Sequence, residues 1–257
     1  MFERLRREYL LKRLSNEVLK CQYRNNTMVN EPEKPEFWEA NFIEKQEMWG
    51  FEPSHSAVLT KDFFIEKSLK NILIPGIGYG RNAQIFRDNG ITVTGIEISK
   101  TAIEMARKHY GNDMVIYHGS VTDMPFDNCL YDGIFCYALI HLLDSSEREK
   151  LISDCYNQLE DNGYMVFIVI SKEAATYGKG TFISKDRYEI FKGVKMFFYD
   201  RESIHQEFGK VGLFEIKEVT ENFPFFFIKL TWQLTVLRIR GVLIIWSSIQ
   251  ILTGWVD

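Results

Sequence analysis

The segment Asn71-Ile72-Leu73-Ile74-Pro75 is apolar through its middle and runs straight into Gly76-Ile77-Gly78-Tyr79-Gly80. Three glycines in five residues let a backbone turn sharply and approach a ligand with no Cβ in the way. A tight strand-to-helix connection also uses glycine for steric reasons alone, so the loop by itself leaves two readings open. The segments after it restrict the fold. Apolar runs at 91–96, 114–117, 131–137 and 164–170 alternate with helical segments. The first helix carries Ala83 and Phe86 and stops at Asn89-Gly90. The next is capped by Ser99, with Ala102, Ile103, Ala106 and Tyr110 on one side. Another starts at Asp144 and reaches Leu159, just before Asn162-Gly163. This alternation implies βαβ units, right-handed crossovers and a mainly parallel sheet. A helix over 200–208 precedes two late strands, 213–220 and 223–229, whose short connection predicts a C-terminal antiparallel hairpin. The expectation is an α/β, doubly wound, Rossmann-like fold with a mainly parallel seven-stranded sheet.

The ends differ from this middle. Up to Arg24 there are seven Lys/Arg against three acids, with Leu10, Leu11, Leu14 and Val18 at helical spacing, which predicts a basic amphipathic helix over residues 1–27. It lacks the apolar stretch and cleavage site of a signal peptide. Pro32 and Pro35 mark a linker, and Pro53-Ser54 offers a helix start for a segment ending near Lys70. Three regions are therefore expected: a basic extension and linker over 1–35, the ligand-binding domain over 36–229, and an apolar tail over 230–257. From 241 to 256 the tail has 16 uncharged residues, short of the about 20 that span a bilayer. Trp232, Trp246 and Trp255 with Arg238 and Arg240 suit an interfacial helix, but a helix packed on the domain or against a second copy is the preferred expectation over membrane contact.

The net charge of -4 provides no general attraction to a phosphate backbone, so no nucleic-acid partner is expected. Cys21, Cys129, Cys136 and Cys155 show no CxxC spacing, which argues against a disulfide framework and against a zinc or other metal site and fits a reducing cytoplasm.

Two carboxylates follow the glycine loop at informative places. Glu97 ends the second strand 21 residues after Gly76, where a carboxylate can accept both hydroxyls of a ribose; a solvated strand-end charge is the bland reading. Asp123, in the loop after the third strand, can accept from an adenine amino group or simply cap the turn before Pro125. A dinucleotide fingerprint would place its third glycine at 81, whereas here it stands at Gly80, followed by Arg81.

The run 72–82, then Val93-Thr94-Gly95-Ile96-Glu97-Ile98-Ser99, Asp123 and Tyr131-Asp132-Gly133-Ile134 resembles the class I S-adenosylmethionine-dependent methyltransferases. The Gly80-Arg81-Asn82 continuation and the aromatic N-terminal segment with Trp38, Phe42, Trp49 and Phe51 are similar to the thiopurine, thiol and tellurite-resistance branch, the thiopurine type of which also tends to carry a proline at the place of Pro75. The resemblance implies S-adenosylmethionine as cofactor, with Gly76, Gly78 and Gly80 facing its methionine part, Glu97 its ribose and Asp123 its adenine. Ile98, Val121, Thr122 and Tyr137, beside these positions, are expected to line the same site. Ile74-Pro75 replaces the acidic residue that many members carry at the end of the first strand, so Arg81 is the candidate for the methionine carboxylate, or else a surface arginine. Trp38 and Trp49 lie in a region that closes over the cofactor in similar enzymes, where an aromatic face suits a sulfonium; core packing is the alternative.

The stretch Cys136-Tyr137-Ala138-Leu139-Ile140-His141 lacks the Asn/Asp-Pro-Pro-aromatic motif of methyltransferases that modify nucleic-acid amino groups, which favours a small-molecule acceptor. His141, with a pKa expected near neutrality, and Tyr177 are candidates for taking a proton from that acceptor; a helix-start or core histidine is equally consistent. Tyr177-Gly178-Lys179-Gly180 can form a substrate lid or an exposed loop. The expected reaction is in-line methyl transfer to a thiol, chalcogen oxyanion, amine or phenol. A nicotinamide-dependent oxidoreductase and a non-catalytic cofactor-binding or membrane-associated protein are the alternatives.

Overall fold

Five strands form the centre of the protein, β1 (Asn71–Pro75), β2 (Thr92–Glu97), β3 (Val115–His118), β4 (Tyr131–Tyr137) and β5 (Leu159–Ile170), of which β1, β2, β4 and the second half of β5 are largely buried on both faces. The computed structural model describes residues 37–219 and, as backbone alone, 222–223, 226–231, 233–235 and 241–251. The basic helix expected over residues 1–27 and its linker lie outside the described residues. The five strands are parallel in the order β3-β2-β1-β4-β5, with Ile72 beside both Val93 and Gly133. The direction of winding reverses between β1 and β4, which opens a crevice at their carboxyl ends.

Helices cover both faces, and the strand residues divide between them with period two. Leu73, Ile134, Cys136, Met165, Phe167 and Val169 pack with Leu151, Ile152 and Cys155 of α5 (Ser145–Asn157) and with Ile204 and Phe208 of α6 (Arg201–Phe208). Ile72, Ile74, Phe135, Val166 and Ile168 pack on the other face. There they meet Ala57 and Phe64 of α2 (His55–Glu66), Ala83 and Phe86 of α3 (Ala83–Asp88), and Ala106 of α4 (Lys100–Tyr110). A helix before them, α1 (Phe37–Lys45), lies beside α4. The caps are where the residue types require them: Ser54 and Ser99 accept from the amides of Ala57 and Ala102, and Asp144 and Asp200 each close a capping box.

A second, antiparallel sheet was not anticipated. β6 (Thr181–Ser184), β7 (Arg187–Phe191) and β8 (Val194–Phe197) pair as a meander. Its tight turns place Asp186 at φ 62° and Gly193 at φ 86°. Arg187 ties this cap to the turn after β4, donating from Nη1 to Leu143 O at 2.8 Å and from Nη2 to Leu142 O at 3.3 Å. Lys172, just past β5, bridges Asp186 at 2.6 Å and Asp200 at 2.5 Å.

The C-terminal expectations need correction. Strand β9 (Leu213–Glu218) does not form a hairpin with the segment after it. It pairs antiparallel with β12 (Gln233–Thr235) and parallel with β13 (Gly241–Ile251). β13 in turn lies parallel to β5, Gly241 opposite Tyr164 and Ser247 opposite Ile170. The stretch expected as a packed or interfacial helix is therefore a strand, and part of the presumed tail belongs to the sheet. The open edge of β5 offers unpaired backbone groups, and a run rich in Val and Ile satisfies them as a strand. Strands β10 (Asn222–Phe223) and β11 (Phe226–Thr231) pair with each other, and β11 also pairs with β13. Among the described residues no helix is long and apolar enough to cross a membrane. Cys136 and Cys155 are free and buried.

Arg148 of α5 holds two layers together. It is 4% exposed and donates to Glu207 from Nε at 3.0 Å and from Nη2 at 2.8 Å, while its Nη1 reaches Leu143 O at 3.1 Å. Its guanidinium lies 4.0 Å from the Phe197 ring centroid. Arg148→Ala removes these contacts and leaves the Glu207 carboxylate only the Tyr199 hydroxyl as a donor, so urea unfolding should show a loss of about 2–3 kcal/mol. An unchanged midpoint would exclude Arg148 as a tie between α5, α6 and the cap.

Candidate functional site

The glycine loop is bent over the end of β2 by its own amides. Gly76 N and Ile77 N both donate to Ile96 O, at 2.8 and 3.0 Å. The next amide, Gly78 N, donates to Glu97 Oε2 at 2.8 Å, and Ser99 N donates to Oε1 of the same carboxylate at 2.9 Å. Gly78 has φ +59°, and a Cβ built there would have only the Phe42 ring edge within 4 Å, so that side of the loop stays open. Beyond it lies a cavity of about 570 Å³ at the carboxyl ends of β1, β2, β4 and β5, lined by Ile74, Ile96, Tyr137 and Ile168 among others. This is the switch-point crevice of an open parallel sheet.

The aromatic N-terminal segment forms one wall. Tyr79 is 2% exposed; its hydroxyl donates to Gly50 O at 2.6 Å and accepts from Trp49 N at 3.2 Å. The Trp49 and Tyr79 rings stack 6.3 Å apart at 10°, and Phe42 meets both edge-on. Burial pushes the Tyr79 hydroxyl up to about 12, so it stays protonated and keeps its donor role. Helix α1 is held by Glu39, whose carboxylate accepts from Ser99 Oγ at 2.5 Å, Thr101 N at 3.1 Å and Thr101 Oγ1 at 2.8 Å. Burial opposes this charge, but the bonds from Ser99 and Thr101 outweigh it and hold the carboxyl below its usual range. Glu39 sits at the N-terminus of α4, where a negative charge is favoured.

Most of the residues expected from the sequence line this cavity: Trp38, Trp49, Gly76, Gly78, Arg81, Glu97, Ile98, Val121, Thr122, Tyr137 and His141. Glu97 is 5% exposed, which sets aside the solvated strand-end reading. Arg81 is 8% exposed rather than a surface arginine; it donates from Nη1 to Trp49 O at 3.1 Å, and its guanidinium lies 5.9 Å from the Tyr137 ring centroid.

Three expected residues do not line the cavity. Gly80 faces away from it, since a Cβ there would meet the Tyr110 ring at 3.0 Å; its role is close packing of the loop on α4. Asp123 ends a 3₁₀ turn, Val121–Asp123, and is exposed to solvent, while its neighbours Val121 and Thr122 line the cavity. Tyr177 packs between Tyr188 and Phe198 and donates to Asp186 Oδ1 at 2.7 Å, a bond that raises its pKa and makes it a poor base. The segment 177–180 leads into β6 and is not itself a lid.

Sequence reasoning missed Glu39, Tyr79 and the cap residues Val194 and Met196, which also line or brace the cavity. It also missed Ala138, which lines the cavity in a left-handed conformation at φ 53°. That conformation is costly for a residue with a Cβ and marks the turn after β4 as constrained.

His141 follows in that turn, 6% exposed, and its Nδ1 has no hydrogen-bond partner among the described residues. Burial lowers its pKa to about 3, not the value near neutrality expected from the sequence, so the ring is neutral. No cluster of three or more His, Cys, Asp or Glu suited to a metal occurs among the described residues.

Residues 73–167 match the family model described as a methyltransferase domain. An O-methyltransferase of Aspergillus sclerotiorum is 35% identical over 82 residues, 29% of this chain and 31% of that protein. A ubiquinone biosynthesis O-methyltransferase of Vibrio parahaemolyticus is 26% identical over 137 residues, 49% of this chain and 57% of that protein. The chain thus spans between about a third and just over half of the length of these relatives. Among solved structures, magnesium protoporphyrin IX methyltransferase from Synechocystis with bound SAM shares the fold, with a TM-score of 0.53 at 12% identity over 87% of this chain and 100% of that one.

The neutral ring of His141 has a consequence for stability. Its pKa is depressed from 6.5 to about 3 in the folded state, so below 6.5 the unfolded chain binds the extra proton and stability falls as pH falls, down to about 3. Between pH 7 and pH 5 this one group should account for about 2 kcal/mol of that loss. His141→Asn should flatten the pH dependence of the urea midpoint by that amount, and an identical slope in the variant would contradict a buried neutral ring.

Proposed function

We propose that this chain, whose residues 73–167 carry a methyltransferase domain, is an S-adenosylmethionine-dependent methyltransferase acting on a small-molecule nucleophile. The observation that carries the reading is Glu97, a buried carboxylate at the end of β2 that lines the cavity and bridges the Gly78 and Ser99 amides. Each of its oxygens keeps acceptor capacity beyond the bond to an amide, which suits the two hydroxyls of a ribose. The other residues fit the same ligand. Ile98 and Val121 offer apolar contact for an adenine, and Thr122 adds a hydroxyl beside it. Gly76 and Gly78 leave the loop backbone open to the methionine part. Arg81 supplies guanidinium donors at the same end, and Trp38 and Tyr137 present rings to a sulfonium.

When bound, S-adenosylmethionine supplies a methyl group already activated by positive sulfur. The protein's task is then to hold the acceptor in line with that methyl and to exclude water, an orientation effect on the order of 7–11 kcal/mol. His141, neutral and on the cavity wall, can accept a hydrogen bond from the acceptor. The narrower likeness to the thiopurine, thiol and tellurite-resistance branch rests on Gly80-Arg81-Asn82 and on the aromatic segment from Phe37 to Phe51, and it brings thiols and chalcogen oxyanions into the acceptor panel. The matched O-methyltransferases bring in oxygen nucleophiles.

Isothermal titration with S-adenosylmethionine, S-adenosylhomocysteine and NADH should show saturable binding of the two sulfur compounds only. Binding of NADH alone, or of none of the three, would refute the reading. Glu97→Ala should weaken S-adenosylhomocysteine at least about tenfold, the worth of one charge-assisted hydrogen bond or more. An unchanged Kd would remove Glu97 from the cofactor site.

A further inference from the structure

The three-stranded cap turns charge of one sign toward solvent. From 178 to 195 the exposed charged side chains are Lys179, Lys185, Lys192 and Lys195, and among these described residues no acidic side chain is exposed. The two acids of the segment are already engaged. Asp186 is buried against Lys172 and the Tyr177 hydroxyl, and Glu189 Oε1 accepts from Gly193 N at 2.7 Å. The whole chain carries a net charge of -4, so the cap is a positive face on a negatively charged protein.

Large apolar side chains stand among these lysines. Phe182 and Phe191 are each 65% exposed, and Ile183 is 41% exposed. Strand β6 is an edge strand paired only with β7, and all four of its residues are exposed. The register brings the two phenylalanines toward one end of the cap. Thr181 stands opposite Glu189, and a Cβ on Gly180 would come within 3.0 Å of Ile190 Cα. Lys179, before β6, therefore neighbours Phe191 and Lys192 in the turn after β7, and Phe182 follows within a short step along β6. The same end borders the cavity, because Gly193 and Val194 line it and Phe37 of α1 closes against Gly193.

Exposed rings and an isoleucine set among lysines match a bilayer surface of negative charge. The apolar groups enter the headgroup region while the ammonium groups pair with lipid phosphates and carboxylates. Other occupants match less well. A second copy would bring the same lysines face to face across a two-fold contact. The segment before Phe37 carries seven Lys/Arg against three acids up to Arg24, so the cap lysines repel it. A nucleic acid would suit the lysines and the rings, but Ile183 has no face on which a base can stack.

We propose that the rim of the cap formed by β6 and the β7–β8 turn is a docking surface for an anionic lipid bilayer. Phe182, Ile183 and Phe191 enter the headgroup region, and Lys179, Lys185 and Lys192 pair with the lipid charges. Docked in this way, the protein holds the end of the cavity bordered by Gly193 next to the bilayer. No cofactor contact is involved, so the proposal stands apart from the methyltransferase reading.

The full chain is sedimented with vesicles of equal parts phosphatidylcholine and phosphatidylserine, and with vesicles of phosphatidylcholine alone. It should bind the mixed vesicles at least about tenfold more tightly than the neutral ones. Raising salt from about 0.1 to 1 M, where the Debye length shortens to about 3 Å, should release it. Two double variants, Lys179→Glu with Lys192→Glu and Phe182→Ser with Phe191→Ser, should each weaken binding at least about tenfold. Their urea midpoints and near-ultraviolet circular dichroism should stay at the wild-type values, since all four side chains are exposed. Absence of co-sedimentation, equal affinity for the two kinds of vesicle, or binding that survives both double variants would overturn the proposal. Binding of poly(U) RNA, or a dimer in sedimentation velocity, that the double variants abolish while vesicles do not bind would assign the face to that occupant and overturn it equally.

Discussion

The Glu97 carboxylate is the contact on which the rest of the site depends. One oxygen takes the Gly78 amide and the other the Ser99 amide, so a single side chain joins the glycine loop after β1 to the start of α4 after β2. Both amides belong to segments where the backbone leaves regular structure and would otherwise need water. Both bonds are charge-assisted, at 2.8 and 2.9 Å, and they tie the loop to the end of β2. Ser99 is used three ways: its amide by Glu97, its hydroxyl as the cap for Ala102, and the same hydroxyl as a donor to Glu39. Through Glu39 the order imposed at β2 reaches α1, and through Tyr79 it reaches Trp49 and Gly50.

The crevice therefore has two kinds of wall. The sheet side is rigid because β1, β2, β4 and the second half of β5 are largely buried on both faces and each of these strands is paired along both edges. The opposite side is assembled from α1, the Trp49 region and the cap, each attached by a few specific bonds: Glu39 to Thr101, Arg81 to Trp49 O, and Arg187 to the carbonyls of Leu142 and Leu143. On the proposed reading, a cofactor held by its ribose at Glu97 would lie against the sheet wall and the acceptor would meet the attached one. Sites that combine a fixed half and a loop-borne half are common in open α/β folds, where the loops at the carboxyl edge carry specificity.

Much of the frame was legible in the sequence because its signals are local. The strands 71–75 and 131–137 are found at the expected residues, and Ser54, Ser99, Asp144 and Asp200 cap the helices that follow them. These depend on apolar runs and on side chains that reach amides two or three residues on. Gly76, Gly78 and Glu97 were legible as a set because their spacing along βαβ units brings them to one sheet edge. Direction was less legible. Gly80 turns toward Tyr110, Asp123 toward solvent and Tyr177 toward Asp186, and in each case a residue near the right place faces elsewhere.

The sequence by itself determined the α/β alternation, the glycine turn and the carboxylate at the end of β2, since each follows from residue type and spacing along a few turns of chain. Only the tertiary structure decided which side chains enter the cavity, because that depends on packing between segments far apart in the chain. The 241–251 run illustrates the difference: its apolar residues suit a helix or a strand, and the unpaired edge of β5 settles it as a strand. His141 illustrates it for chemistry. Its place after β4 could be read from the order of elements, but its neutrality comes from the residues that exclude water around it.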